Sequence, residues 1–143
     1  MTFDVQLRTT LQAIYAKPSA AEARAIIDVA RLAATADKKT DLSETVVLLA
    51  LAKQVCEMAG VSEVPAPTTI DAKRLAEIGE QLVPTGAREL AYACAFLVMV
   101  QDLDVTTEEQ QMANALGEAL ALDAARATAL AGQMESLVRT ARG

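Results

Sequence analysis

Apolar residues recur along this chain at steps of three and four, and a few punctuating residues divide the pattern into segments. Phe3, Leu7, Leu11 and Ile14 share one helical face in a segment from Thr2 to about Ala16, which Lys17-Pro18 ends. Ser19 followed by Glu22 reads as a capping box. It opens a second helix, with Ile26, Ala30 and Ala33 along its stripe and its end near Ala36. A third starts after Asp41, with Glu44 three residues on, and runs through "VVLLALAKQV" to Gly60, a residue suited to the position just past a helix C-terminus. The Pro-rich "VSEVPAPTT" at 61–69 cannot be helical and links two halves of the fold.

Beyond that linker, a fourth helix is expected over about Ile70 to Val83, and a fifth from around Gly86 through the apolar run Leu90–Val100. A sixth starts after Thr106 and passes through Met112, Leu116 and Leu120. Asp123 caps a seventh, whose Leu130, Met134, Leu137 and Val138 form a stripe, while Arg139 and Arg142 complement the negative end of its dipole. The pattern predicts an all-α fold of about seven helices in a single domain over residues 1–143.

Composition sharpens this picture. The chain is 52% hydrophobic but only 3% aromatic, so alanine, leucine and valine must fill the core, which suits closely packed helices. The run Leu90–Val100 falls well short of the roughly 18–20 residues of a membrane span and reads as a buried core helix. The opening "MTFDVQLRTT" has no basic segment leading into an apolar one, so a cytoplasmic location is expected. A net charge of −6 opposes binding to nucleic acid or anionic lipid. The adjacent basic pairs, Lys38–Lys39 and Lys73–Arg74, have no aromatic residues beside them for base stacking. Cys56 and Cys94 sit in separate apolar stretches and read as buried free thiols.

One unit occurs twice. Aligning "ADKKTDLSE" (36–44) with "QDLDVTTEE" (101–109) sets Asp37 on Asp102, Asp41 on Thr106 and Glu44 on Glu109. The repeat units, about 20–60 and 86–121, each read helix, acidic turn, helix, and a pseudo-two-fold axis between them would bring the turns near each other. Two readings of the turns stay open. In the first they are caps: Asp41 or Thr106 accepts a bond from the first helical turn, and Glu44 or Glu109 reaches back to the cap's own amide. In the second, Asp37, Asp41, Glu44, Asp102, Asp104 and Glu109 are oxygen ligands for a hard cation such as calcium, magnesium or manganese. An EF-hand loop starting at Asp102 is excluded, because Thr107 stands where Gly is required and Ala113 where a bidentate Glu belongs. Zinc is disfavoured by the lack of histidine and the separation of the two cysteines.

The doubled unit, "AATADKKTDLSE" and "MVQDLDVTTEEQQMANALGEAL", resembles the tellurite-resistance TerB family over most of residues 20–140. Asp102, Val105, Thr106 and Glu109 fall on the family's Asp, aliphatic, Ser/Thr and Glu positions; Lys38 and Leu103 stand where the family commonly has Gly, which implies a differently shaped turn. The resemblance implies an acidic, all-helical bacterial cytoplasmic protein of tellurite and stress resistance. It further implies divalent-cation binding at the acidic turns and action through protein partners, membrane-bound ones at the inner face among them.

Catalysis lacks its usual parts. There is no histidine, no nucleophile motif and no Gly-rich phosphate loop, so metal-assisted hydrolysis at the paired acidic turns is the one enzymatic alternative. A non-enzymatic interaction module with no ion site is the other alternative. Arg24, Asp28 and Arg31, spaced by four and three, read as solvated ion pairs on a helix surface, and the methionines as core fillers.

Overall fold

Each apolar stripe becomes one helix in the computed structural model, which describes residues 3–34, 42–64, 72–101 and 107–142. The elements are α1 (Phe3–Ile14), α2 (Ala20–Ala34), α3 (Leu42–Met58), α4 (Ala72–Gln81), α5 (Thr85–Met99), α6 (Thr107–Ala119) and α7 (Ala124–Arg142). The described residues form no strand. None of their helices is long and apolar enough to cross a membrane.

Local chemistry explains the helix ends. The Ser19 amide donates to the Glu22 carboxylate at 2.8 Å and the Glu22 amide to the Ser19 hydroxyl at 3.1 Å, so the expected capping box is formed. Gly60, at φ +73°, ends α3 in a Schellman motif: the Val61 amide donates to the Cys56 carbonyl and the Gly60 amide to that of Glu57. The end of α6 repeats this geometry with the wrong residue. Leu122 donates to Gly117 and Ala121 to Glu118, but the left-handed position is held by Ala121 at φ 57°. An alanine Cβ is strained there and glycine is not. Ala121→Gly is therefore expected to stabilise the fold by about 0.5–1 kcal/mol, read as a higher urea midpoint with an unchanged slope.

Two helices form the centre. α2 and α5 pack most extensively on each other, and each carries buried alanines, including Ala23, Ala30 and Ala33 on one and Ala87, Ala91 and Ala95 on the other. Small side chains let helix axes approach closely, which is how so alanine-rich a chain fills its core. α5 also touches α1, α3, α6 and α7, and every residue from Leu90 to Val100 is buried. The run expected to be a core helix is therefore the hub of the fold.

Three helix boundaries share the step seen in the sequence, and the ends of α3 and α6, Met58 and Ala119, do not. Ala20 to Thr85, Ala34 to Met99 and Leu42 to Thr107 are each 65 positions apart. The packing is not symmetric, because α3 lies on both central helices whereas α6 packs on α5 with at most marginal contact to α2.

Candidate functional site

Of the six proposed ion ligands, Asp37, Asp41, Asp102 and Asp104 lie outside the described residues. Glu44 falls in the first turn of α3, with its side chain outside them as well. Glu109 is the described member of the set. It sits in the first turn of α6 beside Glu108, 3% exposed, where the positive end of the helix dipole favours a carboxylate. Among the described residues no group of three or more Cys, Asp or Glu side chains is placed to hold a metal ion.

A different acidic residue is buried with partners. Asp28 is 1% exposed, and Arg74 from α4 meets its Oδ2 with Nε at 2.8 Å and Nη2 at 2.7 Å. Arg31 approaches Oδ1 at 3.4 Å, and Arg74 Nη1 reaches Gln81 at 3.2 Å and Glu77 at 3.4 Å. This corrects the surface reading of Arg24, Asp28 and Arg31. Only Arg24 is exposed, and the partner that holds Asp28 most closely comes from another helix. The cluster joins α4 to α2 and opens into none of the larger clefts described below.

The thiols are inert by the same physics that buries them. Burial pushes Cys94 up to about 12. It also raises Cys56, against the opposing charge of Arg31. Neither is poised as a nucleophile near neutral pH, and both are free and buried, as expected.

Concave surface gathers around α7. A cleft of about 710 Å³ lies between α1 and α7, with Ile14 and Leu137 among hydroxyl and amide groups such as Thr10, Gln133 and Ser136. A second, of about 570 Å³, runs between α6 and α7. Both helices seat on α5 yet make at most marginal contact with each other. They come close near their connecting turn, where a Cβ placed on Gly117 would stand 3.9 Å from the Ala127 Cβ. Between them lies a floor made by Tyr92 and Phe96 of α5, whose rings stack at 6.3 Å. Ala113 and Gly117 form one wall, Ala127 and Ala131 the other.

The charged groups of this groove are of one sign, and its other polar groups include the Gln110 and Asn114 amides and the Thr128 hydroxyl. Glu118 and Glu135 are the charged residues that line it; Glu135 is paired with Arg139 at 2.6 Å. Gln110 donates to Asn114 along the α6 wall at 3.1 Å. Burial raises the Tyr92 hydroxyl above the ordinary tyrosine range, and this side chain is 5% exposed. The sequence did not point to the groove. Its small residues at i and i+4 on α6 and α7 were visible, but that spacing serves tight helix packing as readily as an open cleft. No family model, curated protein or solved structure matches this chain.

Proposed function

We propose that this chain is a non-catalytic, TerB-like helical module that acts by docking a protein partner, with the α6–α7 groove as its contact surface. The observation that carries this reading is the groove left where α6 and α7 part beyond their approach at Gly117 and Ala127, since two helices seated on one core helix ordinarily close on each other along their length. The volume, about 570 Å³, suits the anchor side chains of a partner. A photo-reactive phenylalanine analogue at Gln110, exposed on the α6 rim of the groove, is expected to cross-link a discrete partner in cells, while the same analogue at exposed Lys17, away from the groove, does not. Equal adducts from both positions, or none from Gln110, would refute the groove as the working surface.

The setting attached to this module, bacterial tellurite and stress resistance at or near the inner face of the membrane, is supported by the sequence resemblance. The same resemblance supports a divalent cation at the acidic turns, to which the buried Glu109 carboxylate adds one described ligand candidate. Calorimetric titration with calcium, magnesium or manganese is expected to show saturable binding that the double variant Asp37→Ala/Asp102→Ala loses. Silence at millimolar ion would leave helix capping as the whole role of these turns.

A further inference from the structure

From the shape and charge of the α6–α7 groove we infer the class of partner it takes: a basic amphipathic α-helix. This rests on the groove being the docking surface and adds what fills it.

Shape narrows the choice first. The walls are two helices joined by a short turn, and from Ala124 to Glu135 the α7 wall is about 16 Å long at 1.5 Å per residue. An extended segment gains affinity by adding main-chain hydrogen bonds to a sheet edge, and the described residues offer no strand. A polyproline segment needs open aromatic faces, whereas Tyr92 and Phe96 are each 5% exposed and lie beneath the walls. A helix needs neither. Three turns of an amphipathic helix match the length, and apolar anchors at i, i+3 or i+4, and i+7 can enter where the walls part beyond the Gly117–Ala127 approach, against Ala131 and Gly132.

Charge then fixes the flanks. Glu118 stands at the end of the groove near the connecting turn, and Glu135 stands toward the other end. Two cations lie near these ends: Arg139 is engaged by Glu135, and Arg88 is turned to the Leu120 and Val83 carbonyls. A lysine or arginine on one side of the apolar anchors would meet Glu118, one on the other side would share Glu135 with Arg139, and the chain's net charge of −6 steers such a partner in. The same charge disfavours a second copy of this chain as the occupant, because two acidic rims would face each other.

The test uses the full chain and three synthetic helical peptides with identical leucine anchors, flanked by Lys/Arg, by Gln or by Glu. Fluorescence anisotropy measures affinity, and amide shift mapping locates the site. The basic peptide is expected to bind saturably, to move the amides of Gly117, Ala127 and Ala131, and to weaken with added salt. Glu118→Lys, at an exposed position, is expected to weaken it about tenfold. Thr128→Trp, which fills the groove from an exposed position, is expected to abolish it while the thermal melt stays unchanged. Equal binding of all three peptides at the groove would overturn the basic partner and leave the docking surface standing. Shifts elsewhere, or a homodimer that Thr128→Trp dissolves, would overturn the inference in favour of another surface or a second copy. No helix binding at the groove overturns it outright, and the cross-linking experiment then decides separately whether the docking surface survives.

Discussion

Asp28→Ala is expected to lower the unfolding free energy by about 3–5 kcal/mol, measured by urea denaturation. The carboxylate is 1% exposed, and the Arg74 and Arg31 side chains that face it are 11% and 15% exposed. Removing the acid leaves two guanidinium groups in a poorly solvated space with their best acceptor gone. The damage should be local before it is global. α4 is a ten-residue helix whose main packing partner is α2, and among the described residues the Arg74–Asp28 contact and the burial of Ile78 and nearby Leu82 tie it down. Amide exchange over 72–81 should therefore rise more than in α5. The double variant Asp28→Leu/Arg74→Met is expected to recover much of the loss, because replacing a buried ion pair by apolar groups of similar volume is often near neutral. A single-variant loss under about 1 kcal/mol would show that the pair is effectively solvated.

Which features were legible in the sequence follows from where their causes lie. The seven helices, the Ser19–Glu22 box and the Gly60 terminus depend on residues within a turn or two of each other, and the sequence carries all of that information. Asp28 was misread because its closest partner is 46 residues away, while two arginines at helical spacing offered a plausible surface explanation. Ala121 carries no mark of its left-handed backbone, since nothing about an alanine announces that the chain must turn there. The groove belongs to tertiary packing: its walls were visible as small residues, but whether α6 and α7 close or part depends on how each seats on Tyr92 and Phe96. Of the acidic turns, Glu109 stands in the first turn of α6 as the capping pattern placed it, and the aspartates fall outside the described residues.

A carboxylate placed 65 residues further along, in α5, should be far less tolerable. The 65-residue step that carries α2 onto α5 sets Asp28 on Ala93 and Arg31 on Phe96. Ala93 is 0% exposed, and α5 is enclosed by α1, α2, α3, α6 and α7. Among the described residues no ion pair places a cation beside Ala93, and Arg139 of α7 is exposed and bound to Glu135. Ala93→Asp would thus bury the carboxylate that α2 accommodates without either of its cations, and with added volume in a packed core. The expected loss is at least about 4 kcal/mol, a large part of the 5–15 kcal/mol typical of a domain, so the chain should be largely unfolded at 37 °C by circular dichroism. The same change at Ala115, exposed on α6, should cost no more than about 0.5 kcal/mol. If Ala93→Asp folds normally, α5 is not the closed hub its burial describes. If it unfolds while Ala115→Asp does not, α5 is closed to a carboxylate that has no cation beside it, whereas α2 holds Asp28 against Arg74 of α4.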